Sequence, residues 1–298
     1  MQREFLLNIL FLVFINLLIK PFFIFGIDRT IQNQVGLEEY GIYAALFNFT
    51  FLISIVNDFG IQSFNNQRIA QDHQRLQQYF PNIFVLKIGL GLLYTLLVLI
   101  FATLLGYAST YYHLLFFLIL NQILLSAILF FRSNISALGM YRTDSIMTIV
   151  ERLVLIMICG VLLWANPFST SFQIEWFIYA QTCSLFIAAA VGFSIVYRQL
   201  PSFRLQFNTG ILWDLLKNSA PFALVIFLMT IYTRVDFVMI ERLLPEGKKA
   251  AGVYASAYRL LDAVNIIGLL FSGLLLPCLL YTSPSPRDAT LSRMPSSA

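Results

Sequence analysis

Eight continuous apolar runs of about 20 residues constrain this chain more than any other feature: 5–26, 40–61, 83–105, 111–131, 146–165, 176–197, 220–240 and 250–277. Each matches the hydrocarbon thickness of a bilayer, where only helices and closed barrels satisfy every backbone N–H and C=O. The runs do not alternate with the dyad period of barrel strands. The sequence therefore predicts an all-α, polytopic transmembrane bundle of eight helices. Composition agrees: 59% of residues are hydrophobic and 11% charged, against about a quarter charged in a soluble domain. Between the sixth and seventh runs, segment 211–219 is short and amphipathic. It is expected to lie at the interface, with Pro221 starting the seventh helix.

Loop charges set an orientation. With the N-terminus in the cytoplasm, Arg3, Arg68, Arg75, Arg132, Arg142, Arg198, Arg204 and Lys217 fall inside. The outer loops among the first six helices hold only Arg29. The loop 241–249 then lies outside despite Arg242, Lys248 and Lys249, with Glu241 and Glu246 beside them. The expected location is a cell inner membrane, multi-pass. The first run exceeds a signal-peptide core and lacks a small-residue cleavage site, so no cleaved leader is expected. Cys159, Cys183 and Cys278 sit in apolar stretches as small buried hydrophobes, and two isolated histidines, His73 and His113, make no metal site. No cofactor and no nucleic-acid partner are expected.

Two stretches 211 residues apart look alike: Gly36-Leu-Glu-Glu-Tyr-Gly-Ile-Tyr-Ala-Ala45 and Gly247-Lys-Lys-Ala-Ala-Gly-Val-Tyr-Ala-Ser256. They share Gly-x4-Gly-(Ile/Val)-Tyr-Ala-small, and chance similarity in low-complexity membrane sequence is the competing reading. As a true repeat, helices one and two correspond to seven and eight. The unit is then six helices, the two units run parallel, and a transporter of that plan places its substrate between them. The organisation expected is a first six-helix bundle over 1–205, the start of a second over 206–278, and a tail over 279–298. That tail, Ser/Pro-rich with no hydrophobic period, reads either as a disordered cytoplasmic segment or as non-native translated sequencing-adapter read-through, which it closely resembles.

The segment VGLEEYGIYAALFNFTFLISIVNDFGIQSFNNQRIA (35–70) resembles the second-helix region of polysaccharide-biosynthesis flippases. The segment 221–277 resembles their seventh and eighth helices, through Tyr-Thr-Arg-Val-Asp (232–236) and Gly-Val-Tyr-Ala-Ser-Ala-Tyr-Arg (252–259). These proteins belong to the multidrug/oligosaccharidyl-lipid/polysaccharide exporter superfamily. The resemblance implies a MATE-like, inverted-V fold of two bundles around a central cavity, with the second incomplete here. The chain departs from the pattern by stopping after its eighth helix, so a C-terminally truncated member is expected. The implied activity is translocation of an undecaprenyl-pyrophosphate-linked oligosaccharide for surface polysaccharides such as O-antigen. Implied partners are that lipid-linked oligosaccharide, membrane lipid and the polysaccharide polymerase machinery.

Ionisable groups inside a span cost about 2.5–3.5 kcal/mol each and are functional candidates: Lys20, Asp58, Glu151, Arg152, Arg234, Asp236, Arg259 and Asp262. In the resembling family helices one, two, seven and eight line the cavity. Lys20, Arg234 and Arg259 would form a basic interior for pyrophosphate, with arginine the better clamp. Tyr254 and Tyr258 are candidates to stack on sugar rings, and core packing is their bland alternative. Asp58, Asp236 and Asp262 are candidates for ion coupling. Other readings stand beside these. Arg259 and Asp262, three apart, can neutralise each other. Arg234 and Asp236 do not share a helical face, Asp58 is expected to meet solvent, and Glu151-Arg152 diverge and read as structural. A multidrug or small-molecule exporter is the nearest alternative. A membrane-embedded polymerase or ligase is another, but the outer loops are short and carry no His/Asp/Arg constellation. No phosphate-cradling Gly-rich loop exists, which argues against an ATPase and leaves an ion gradient as the expected drive; an enzyme is not expected.

Overall fold

The first helix outruns its apolar stretch. A computed structural model describes residues 18–19, 21–62, 65–66, 69, 75–107, 111–165, 172–200, 208–261 and 264–265. There, a π-helical turn Phe23–Asp28 continues as the α-helix Arg29–Val35, together α1. Ile27 and Ile31 are fully buried one turn apart, and their packing carries the helix on beyond Gly26. Gly36 then stops it at φ 92°, a conformation that suits a residue without Cβ, and α2 (Leu37–Ile53) starts at once. A short helix, Ile55–Asp58, extends α2 and ends at Phe59 and Gly60, both with positive φ.

The remaining helices are α3 (Arg75–Leu104), α4 (Tyr112–Ala137), α5 (Tyr141–Gly160, closed by a π turn Val161–Ala165), α6 (Ile174–Arg198), α7 (Thr209–Leu243) and α8 (247–261). Every described regular element is helical. Helix α3 begins before its apolar run because Leu76 and Phe80 are buried, the Phe80 ring stacked 5.2 Å from Phe130. Six stretches are long and apolar enough to cross a bilayer: Leu37–Asp58, Leu76–Leu104, Tyr112–Ala137, Arg142–Trp164, Ile174–Arg198 and Leu215–Leu243. This is a multi-pass helical membrane protein.

Two expectations need correction. Segment 211–219 and the seventh span form one continuous helix with Pro221 inside it. Leu212, Leu215, Ser219 and Ala223, all buried, make one stripe at helical spacing, and that shared face holds the helix together across the proline. Cys159 is buried as expected, but Cys183 is exposed on the outside of α6. The first 17 residues and the tail 279–298 lie outside the described residues.

The bundle is built on α4 against α6. Gly192 of α6 lies so close to α4 and α5 that a Cβ there would sit 3.0 Å from Met147 Cε and 3.2 Å from Phe131 Cβ. Small residues permit such approach, which replaces the hydrophobic drive that lipid does not supply. Helix α2 is the spine between this bundle and α7–α8, and glycine fixes both of its ends. At the far end a Cβ on Gly60 would lie 2.8 Å from Ala223 N of α7.

At the other end the two copies of the repeat meet. A Cβ on Gly41 would lie 1.9 Å from Lys248 O, and one on Gly252 would lie 2.1 Å from Leu37 O. In each contact the partner residues are related by the same 211-residue offset. The contact is reciprocal: each glycine receives the carbonyl at the start of the other copy.

Candidate functional site

The seam between α1–α2 and α7–α8 carries polar groups along its length. Near the glycine crossing, Arg259 Nε of α8 lies 3.1 Å from Asp28 Oδ2 of α1. The Tyr40 hydroxyl donates to the same oxygen at 2.8 Å. Gln32 Nε2 donates to Gly252 O at 3.2 Å and also to the Ser256 hydroxyl. Asp28 is 3% exposed and its Oδ1 has no partner, so the carboxylate depends on Arg259 and Tyr40 for compensation. Arg259 thus has a cross-seam partner that the sequence analysis did not name. Asp28 follows the apolar run 5–26, and its spacing of four from Gln32 on a continuing helix is the signal the sequence offers for it.

Deeper in the seam, Arg234 of α7 points at α2 and α8. Its Nη1 lies 3.5 Å from Asn48 Oδ1, and its guanidinium sits over the Phe51 ring at 5.4 Å and the Tyr258 ring at 5.2 Å. Among the described residues no carboxylate reaches ion-pair distance of it. Asp236, on another face, accepts from the Tyr254 hydroxyl and from the Phe237 backbone N–H. The Tyr258 hydroxyl donates to Thr233 O at 3.2 Å. Both tyrosine rings meet Phe237 edge-on, at 4.9 and 5.1 Å. The free volume here, bounded by Arg234, Arg259 and Tyr258, is about 20 Å³, room for about one water and too little for a sugar ring. In this conformation the stacking faces proposed for sugar are covered by protein. Lys20 and Asp262 lie outside the described residues.

Asp58 does not stand in solvent. Lys87 Nζ of α3 lies 2.7 Å from its Oδ1 and donates to Ser126 Oγ at 2.7 Å, with Lys87 9% exposed. Burying a lysine four residues inside an apolar run requires a countercharge, and Asp58 supplies it. Counting charges within run 83–105 was enough to find Lys87. Glu151 and Arg152 converge instead of diverging: both line a cavity of about 130 Å³ among α1, α2, α4, α5, α6 and α8, where Arg152 Nε is 3.9 Å from Glu151 Oε1. Among the described residues no three His, Cys, Asp or Glu side chains gather as a metal site.

At the crossing end the α7–α8 hairpin grips the loop after α3. Arg242 lies over the Tyr107 ring at 3.7 Å, the Tyr107 hydroxyl donates to Glu241 at 3.5 Å, and Lys248 donates to the Tyr111 hydroxyl at 3.1 Å. Burial, with the Glu241 charge beside it, pushes the Tyr107 hydroxyl up to about 12. Three loops expected on one side of the membrane therefore do come together: 1–2, 3–4 and 7–8.

The family described as polysaccharide biosynthesis protein matches residues 5–280, from the first apolar run to just past the eighth. No curated protein and no solved structure matches the chain. A family match over nearly the whole length, on a multi-pass helical fold whose repeat copies meet face to face, places this chain in the polysaccharide biosynthesis protein family.

Proposed function

We propose that the protein is a transporter that moves an undecaprenyl-pyrophosphate-linked oligosaccharide across the inner membrane for surface polysaccharide synthesis. The observation that carries this reading is Arg234: a guanidinium within a membrane-spanning helix, bounded by an amide and two aromatic rings, with no carboxylate partner among the described residues. A bare cation there is costly unless an anion visits it, and a guanidinium fork matches pyrophosphate oxygens. A cationic drug gains nothing from such a group. With only about 20 Å³ open beside Arg234, the seam is shut. Substrate entry then requires α2 and α8 to part, one conformation of a two-state transporter.

The test is transport of a fluorescent undecaprenyl-pyrophosphate oligosaccharide by the full chain in proteoliposomes. Replacing Arg234 by Ala removes a charge-assisted contact and should slow transport about tenfold or more. Arg234→Lys keeps charge without the fork and should fall between. Wild-type rates in Arg234→Ala would defeat the proposal.

A further inference from the structure

We propose that the cavity inside the first bundle is a monosaccharide subsite that takes one neutral sugar unit of the transported substrate; this rests on the transport reading above. Its volume, about 130 Å³, is on the scale of a single sugar ring. The polar lining is Asn121 and Gln122 of α4, Glu151 and Arg152 of α5, and Gln181 and Ser184 of α6. Asn121 and Gln122 are 4% and 3% exposed, far inside a span where an amide needs a reason to be.

Asn121 has an unmet bond. Its Nδ2 is buried without a partner, while Thr182 Oγ1 lies 2.7 Å from Asn121 Oδ1 and 2.9 Å from Ile178 O. One hydroxyl proton serves two acceptors, so one end of the amide lacks a protein partner whichever way it is turned. A hydroxyl on a ligand donates and accepts, and so meets either case. Gln181 also lines the cavity, and its Nε2 donates to the Tyr43 hydroxyl at 2.9 Å.

The charges argue against a simple ion. Glu151 has Arg152 beside it, and Arg259 reaches the same cavity from α8. Two guanidiniums repel a cation, and the carboxylate repels an anion. The rings of Phe23, Tyr43 and Phe47 complete the wall. Flat apolar faces with planar groups that both donate and accept suit the C–H faces and equatorial hydroxyls of a sugar. Arg259 joins this cavity to the seam and its pyrophosphate site, so one substrate can span both.

The experiment measures binding to the full chain in nanodiscs of bare undecaprenyl pyrophosphate and of the same carrier bearing one glucose, galactose or mannose. The best of the three should bind wild type about tenfold tighter than the bare carrier, the worth of two or three net hydrogen bonds. Asn121→Leu and Gln122→Met, near-isosteric and apolar, should each lower that ratio toward one and leave bare-carrier affinity unchanged. Either variant suffices if the other fails to fold. No sugar-dependent gain in wild type, or a gain untouched by both variants, overturns the subsite but leaves the transport reading standing. Variants that alter sodium or proton dependence and not the sugar gain make the cavity a coupling site and overturn it too. Failure of wild type to bind any carrier overturns both.

Discussion

The two copies of the repeat, 36–45 and 247–256, do the same work with their backbones and different work with their side chains. Gly41 and Gly252 each receive the opposite helix at a distance no Cβ tolerates. The tyrosines two residues on, Tyr43 and Tyr254, each bond inside their own half, to Gln181 of α6 and to Asp236 of α7. Asn48 and Arg259, again 211 apart, each reach across the seam, to Arg234 and to Asp28. A contact made of backbone and glycine keeps its pattern in both copies, because any added atom would break it. A cross-seam side chain is under no such limit, and there one copy holds a neutral amide and the other a charge.

The largest effects test the shared part. Gly41→Leu and Gly252→Leu should each destabilise the protein by about 3 kcal/mol, the upper range for overpacking, because each drives a side chain into a backbone carbonyl. Thermal unfolding in detergent checks this, and the pair combined should cost less than the sum. Clear loss at Gly41 with tolerance at Gly252 would show that the contact is not reciprocal. Next comes the divergent part. Asp28→Ala leaves Arg259 without its countercharge and should cost about 2 kcal/mol, less than a fully buried pair because the Arg259 side chain is 32% exposed. Asp28→Asn combined with Arg259→Gln should recover part of that loss. A single Asp28→Ala with wild-type stability would mean that the ion pair does not hold the seam.

The helices were legible because a bilayer demands long apolar runs, and a run of that kind announces itself. Their ends were not. Asp28 and the start of α3 belong to helices because of what Ile27, Ile31 and Phe80 pack against, which composition does not state. Arg234 and Arg259 were legible as charges where charges are costly. Their partners were not, since Asp28 and Asn48 lie far from them in sequence. Lys87 is equally legible: a charge inside a span, as informative as Arg234. Asn121, Gln122 and Gln181 are harder to single out, because amides in apolar runs carry no charge to count, though burial costs them heavily as well.

Contacts within one half sharpen the comparison from the other side. Lys87 and Asp58 both belong to the first bundle, so Lys87→Met should cost about 1–2 kcal/mol of stability, and Lys87→Met with Asp58→Leu should return most of it. Neither change should alter how readily α2 and α8 separate, read from disulfide trapping of cysteine pairs placed across the seam. Asp28→Ala should alter exactly that readout. If Lys87→Met opens the seam as Asp28→Ala does, the division into within-half and cross-seam contacts fails.

The smallest effect is a pH dependence at the hairpin clasp. Tyr107 in the folded protein keeps its proton to about 12, through burial and then the Glu241 charge, against about 10 for a free tyrosine. Lys248 is also raised, by its hydrogen bond to the Tyr111 hydroxyl. Both groups hold their protons more tightly in the folded protein, so both contributions fade as pH rises; that of Tyr107 is complete below pH of about 10 and is lost as pH rises through about 12. The unfolding midpoint should therefore drop between pH of about 10 and 12, and Tyr107→Phe should flatten part of that drop while leaving the neutral-pH midpoint nearly unchanged. Because Tyr107 belongs to the first half and Glu241 to the second, the same titration should loosen the seam in the disulfide-trapping assay. An equal alkaline drop in Tyr107→Phe would place the titrating group elsewhere and leave the glycine crossing and the Asp28–Arg259 pair to hold this end alone.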